Sequence, residues 1–170
     1  AAHGYGPPLD PAVPKKFERY HQGLIDGFKQ TLDYEGNLTA GSIKQIMTAL
    51  QLRDSARPKT SSGGKSGDHP FWVALETIND RTWIHGELVA LGAVIISWQA
   101  GGDPDALIAK LEDCKVRFRP EEMGLSYAEL RRGLEFVPTY MAEERIHSVL
   151  RHEPIIEKRF DQLWEFLQDR

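Results

Sequence analysis

The chain of 170 residues contains one cysteine, Cys114, so no internal disulfide can staple it. That usage fits a reducing, cytoplasmic setting, and a chain of this length buries roughly two thirds of its unfolded surface without covalent help. Positive charge is also in short supply. The formal net charge is -4 and the Lys and Arg residues are scattered. Neutralising nucleic-acid phosphates needs clustered cations, so no nucleic-acid partner is expected. The longest apolar run, Leu88 to Trp98, is interrupted by Gly92 and Ser97 and is too short to cross a bilayer. No membrane association is expected either. The start, Ala1 to Gly6, lacks the charged segment and apolar core of a signal peptide. No stretch alternates apolar and polar residues between hairpin turns, which argues against strands.

What is present is helical punctuation. Asp10-Pro11, Asp68-His69-Pro70, Asp103-Pro104 and Glu153-Pro154 put proline where a first helical turn tolerates it. Ser126 and Glu129 have the spacing of a capping box. Between such starts the apolar residues recur at three and four, as in Ile43, Ile46, Met47 and Leu50, or Phe160, Leu163, Trp164 and Leu167. The pattern predicts an all-α bundle of about eight helices, over 11–34, 40–54, 70–79, 84–100, 104–115, 126–137, 139–149 and 155–168. The 84–100 segment is apolar on nearly every side and reads as a buried central helix. Residues 1–16 read as an extended N-terminal segment and 17–170 as a single helical domain. Gly23, Gly27 and Gly92 fall inside helices, where each costs about 1 kcal/mol relative to alanine unless it permits a close approach.

Two histidines stand out. His85 follows His69 by sixteen residues, and each is predicted in the first turn of its helix. Two imidazoles from neighbouring helices can hold a divalent metal, Zn or Fe, given a third ligand, usually a carboxylate or another imidazole. The short turn at Asn79-Asp80 would ordinarily place the two helix starts at opposite ends. The pair converges only if the first helix is short and the connection doubles back. Glu87, two positions after His85, reads as an outer carboxylate able to orient that ring. By spacing alone the plainer reading is the commoner one, since lone histidines usually cap helices or make core hydrogen bonds.

The Ser/Gly-rich stretch from Lys59 to Asp68 is a loop. Its Gly63-Gly64-Lys65-Ser66 resembles the end of a phosphate-cradling loop, but Lys59 stands where that motif needs glycine and no strand precedes it. Lys65 is therefore a weak anion contact rather than part of a nucleotide site. His3, His21, His147 and His152 read as surface or capping residues. Cys114, on an amphipathic helix, reads as buried and inert. Trp72, Trp83, Trp98 and Trp164 read as core or groove residues.

Taken together, His69 to Glu76 (HPFWVALE) and Trp83 to Gly92 (WIHGELVALG) resemble the metal-binding half of a known superfamily. It comprises dehydroquinate synthase, glycerol dehydrogenase, glycerol-1-phosphate dehydrogenase and the iron-containing alcohol dehydrogenases. Arg57-Pro58, the Ser61 to Gly64 stretch and Arg119 to Ser126 (RPEEMGLS) look most similar to the glycerol-1-phosphate dehydrogenase branch. The resemblance runs from about Phe17 to Leu167. It implies a helical domain in which His69 and His85 are two of three protein ligands to Zn or Fe; Lys65 and Arg57 are weak candidates to contact a small polar substrate, phosphorylated or not. Three departures accompany it. Val73 stands where the family carries a second histidine, and no third ligand can be assigned. Too few residues precede the first matching helix for the family's NAD(P)-binding α/β domain.

These features lead to two expectations. One is a metal- and substrate-binding domain of a polyol or polyol-phosphate dehydrogenase, receiving NAD(P) only through a partner chain; the alternative partner is a second copy in a homo-oligomer. The other is a stand-alone domain with a ligand-binding or cofactor-free lyase, isomerase or cyclase role. The catalytic residues are not assignable from the sequence.

Overall fold

A computed structural model describes residues 27, 30–33, 35–56 and 67–169, and for 49–56 the backbone alone. Among the described residues there are seven helices and no strand, so the all-α expectation holds. The chain falls into two compact units, one within residues 7–64 and one containing residues 65–170. The expected helix over 11–34 lies outside the described residues, apart from helical Gly27 and a turn at 30–33.

The first unit contributes helix α1, Ala40–Ala56. Thr39 starts it. The Thr39 hydroxyl accepts from the amides of Gly41 and Ser42, and the buried Ser42 hydroxyl accepts from the Thr39 amide at 2.6 Å. Ile43, Ile46 and Met47, which carry its helical apolar spacing, are exposed.

The second unit holds α2 (Asp68–Asn79), α3 (His85–Gln99), α4 (Pro104–Asp113), α5 (Tyr127–Glu143), α6 (Val149–His152) and α7 (Glu157–Gln168). α2 packs against both α5 and α3. Two glycines permit those approaches. A Cβ on Gly133 of α5 would lie 2.1 Å from Leu75 Cδ1, and one on Gly92 of α3 would lie 2.8 Å from Phe71 and 3.2 Å from the Asp68 backbone. Leu88, Leu91, Val94 and Ile95 of α3 are fully buried, as are Phe71 and Leu75 of α2 and Leu130 and Val137 of α5. α7 buries Phe160, Leu163 and Leu167, and sets Phe160 and Trp164 against the Tyr127 ring.

Several boundaries differ from expectation for identifiable reasons. The helices expected at 126–137 and 139–149 are one, α5, which passes through Pro138 to Glu143. Its buried stripe of Leu130, Leu134, Val137 and Met141 continues across the proline. That burial offsets the backbone hydrogen bond Pro138 cannot donate. The remainder of the second segment is the single turn α6, started by Ser148, whose hydroxyl accepts from the Leu150 amide. Pro154 does not open the last helix, which begins at Glu157. The Asp103 cap and the reciprocal Ser126–Glu129 capping box form as the sequence predicts. Asp68, by contrast, is not the N-cap residue: α2 begins at Asp68 itself, after Gly67.

Candidate functional site

The site depends on the connection between α2 and α3. Asp80 closes α2 in the left-handed conformation, with φ 48°. Residues 80–84 then run back alongside the helix they have just left. Trp83 donates its backbone N–H to Glu76 Oε1 at 2.8 Å, and its ring is covered by the Arg81 guanidinium at 4.6 Å. Arg81 is tethered in turn to Glu129 of the capping box on α5, at 2.8 Å. Asn79 donates to the Glu129 carbonyl at 3.1 Å and accepts from Arg132 at 2.7 Å. Five extended residues reach about 16 Å and a twelve-residue helix is about 18 Å long, so the return is enough to bring the start of α3 beside the start of α2.

His69 and His85 thereby come together. Their ring centroids are 5.2 Å apart with planes at 66°. Trp72, one turn after His69, packs edge-on against His85 with centroids 4.3 Å apart. Gly92 allows α3 to lie against the Asp68 backbone, which sets the depth of α2 and therefore the height of His69. His69 Nδ1 is buried without a hydrogen bond, and Asp68 Oδ2 lies 3.4 Å from it. The indole nitrogens of Trp72 and Trp83 are likewise buried and unbonded.

Glu87 is engaged elsewhere. Its Oε1 accepts from Arg117 Nε at 2.7 Å, so its hydrogen bond goes to the segment after α4 rather than to an imidazole. Arg57 and Lys65 lie outside the described residues. Val73 is half-buried on α2. His147 and His152 are exposed and stacked, with centroids 5.6 Å apart. Cys114 is half-buried at the end of α4 rather than fully enclosed. Sequence reasoning passed over Asp68, Trp72 and Arg117. The first two carried a usable signal, adjacency to His69 and one-turn spacing from it. Arg117 lies thirty residues from Glu87, and nothing local links them.

Whether this pair suits a metal can be judged from its spacing. Two imidazoles on one tetrahedral zinc, at Zn–N distances near 2.0–2.1 Å, place their ring centroids about 5 Å apart. The observed 5.2 Å matches that spacing. A third donor is not at hand: among the described residues no group of three or more His, Cys, Asp or Glu side chains is placed to hold a metal ion. The pair thus has the spacing of two rings about one ion, with no third donor beside it among the described residues.

The fold and this pair define a class, an all-α unit that presents two histidines from the adjoining starts of two helices. Comparison with known proteins gives that class a context. The chain is similar to the glycerol-1-phosphate dehydrogenase [NAD(P)+] of Methanobrevibacter smithii, 24% identical over 119 residues, which cover 70% of this chain and 33% of that protein. It is 28% identical over 95 residues to the corresponding enzyme of Saccharolobus solfataricus, covering 56% of this chain and 26% of the relative. The chain thus spans about a quarter to a third of the length of the curated relatives it matches. No family model matches, and no solved structure gives a significant match. Among the described residues no helix is long and apolar enough to cross a membrane.

Proposed function

We propose that this chain supplies the metal- and substrate-binding helical part of a polyol-phosphate dehydrogenase-like protein, with NAD(P) held by a separate domain or partner chain. The observation that carries the reading is the doubled-back connection, which brings His69 and His85 to 5.2 Å across two helix starts. Similarity to parts of the two glycerol-1-phosphate dehydrogenases [NAD(P)+] supports that choice of substrate class. His69 and His85 would hold Zn or Fe, and a bound metal would polarise a substrate hydroxyl or ketone oxygen as a Lewis acid. Trp72, packed edge-on against the His85 ring, restrains it. Glu87 ties the start of α3 to Arg117, so its contribution to His85 is to hold the helix on which the ring stands. Lys65 and Arg57 are proposed as phosphate contacts on charge and sequence position alone.

The test is metal analysis of the purified protein, followed by Zn(II) and Fe(II) titration of the parent, His69→Ala and His85→Ala. Each substitution is expected to weaken binding at least tenfold while the helix content is kept. Equal affinity in all three proteins would remove the metal reading. NAD(P)H oxidation with dihydroxyacetone phosphate should then require both this chain and its nucleotide-binding partner.

A second reading is favoured by Val73, which can neither donate nor accept a proton in the helix that carries His69. In it the same pair of helix starts binds a small polar ligand, or supports a cofactor-free elimination, isomerisation or cyclisation. Turnover without NAD(P) would select it.

A further inference from the structure

Among the described residues, a carboxylate faces the buried edge of His69. Nδ1 is enclosed and makes no hydrogen bond, and the oxygen facing it is Asp68 Oδ2 at 3.4 Å. That distance is slightly longer than an N–H···O bond, and a small rotation of either side chain closes it. The Asp68 side chain is itself 19% exposed, whereas 38% of the His69 side chain is exposed. Because Nδ1 is on the enclosed edge, the open part of the ring is the opposite edge, which carries Nε2. An enclosed imidazole nitrogen beside a carboxylate is most stable when it bears the proton. The alternative tautomer would set a lone pair against negative charge in a site where water is excluded.

We infer that Asp68 is the positioning residue of the site: it fixes His69 as the Nδ1–H tautomer and leaves the Nε2 lone pair on the open edge, free to bind a ligand. The role anticipated for Glu87 thus falls to Asp68, because Glu87 is held by Arg117. Asp68 can do this from its own position in the chain. It occupies the first turn of α2, and Gly92 of α3 packs against its backbone and fixes its height. The tautomer assignment stands on local geometry. Its consequence for metal binding rests on the function proposed above, since a carboxylate behind a ligating histidine sets ring orientation and raises ligand basicity.

Nitrogen-15 NMR of the metal-free protein at about pH 8.5, roughly two units above the ordinary imidazole pKa, reads the tautomer of each histidine directly. His69 is expected to be Nδ1–H in the parent and to shift toward Nε2–H in Asp68→Ala. Glu87→Gln should leave it unchanged. Asp68→Asn keeps the size of the side chain and serves if the alanine variant fails to fold. It removes the charge but keeps an oxygen acceptor, so it should give a smaller shift than Asp68→Ala. A parent His69 already in the Nε2–H form, or a tautomer that ignores both Asp68 substitutions, overturns the inference. Zn(II) titration of the same samples separates this outcome from the metal reading. About ten- to hundredfold weaker binding in Asp68→Ala supports both. A tautomer set by Asp68 in a parent that binds no Zn(II) supports the positioning role and removes the metal.

Discussion

At the scale of single residues, small changes should move the site further than their size suggests. Gly92 is half of the contact that brings α3 against α2, and an added methyl would meet both the Phe71 ring and the Asp68 backbone. The ring can turn but the backbone cannot, so Gly92→Ala is expected to cost about 1–3 kcal/mol, as overpacked cores do. Chemical denaturation would measure that loss, and the NMR contacts between the His69 and His85 rings should weaken with it. Glu129 gives a prediction in pH. Partial burial pushes its carboxyl up, but hydrogen bonds from Ser126 and Arg81 outweigh this and bring it down to about 2. A group with a depressed folded pKa stabilises the fold above its unfolded value, and that stabilisation is lost as pH falls toward the folded one. Between about pH 4.5 and 2 the parent should lose on the order of 1–2 kcal/mol that Glu129→Gln does not lose over the same range. Acid titration followed by circular dichroism would compare them.

At the scale of elements, α5 and the 80–84 connection matter most. α5 runs through Pro138 because its buried stripe lies on both sides of the proline. Pro138→Ala restores one backbone donor, so it should raise the melting temperature, by about 1 kcal/mol of stability or more. A fall would mean that the bend imposed by the proline is itself needed for packing. The connection is held by polar links that converge on α5, Arg81 to Glu129 and Asn79 to both the Glu129 carbonyl and Arg132. The capping box at Ser126 and Glu129 was legible from residue spacing, and it forms. That its glutamate also anchors the return of the chain to His85 was not legible, because Arg81 lies 48 residues away.

At the scale of the whole molecule, ligand binding and stability are linked. A metal that binds only the folded protein stabilises it by about 2.7 kcal/mol at a hundred times its dissociation constant. Thermal unfolding should therefore shift upward with Zn(II) in the parent and stay unchanged in His69→Ala and His85→Ala. A parent melting temperature indifferent to the metal would count against the site.

The residues alone determined the class of fold and the location of most helices in the second unit. Apolar spacing and caps act within a few residues, so the chain reads them locally. They also named His69 and His85 as the pair to examine, with a stated geometric condition for their meeting. Whether that condition holds and where Glu87 spends its charge were decided by tertiary structure. Each depends on contacts between segments distant in the chain: α2 against Gly92, Arg81 on Glu129, Arg117 on Glu87. Such contacts follow from how helices close on one another, and no local pattern of residues encodes that closure.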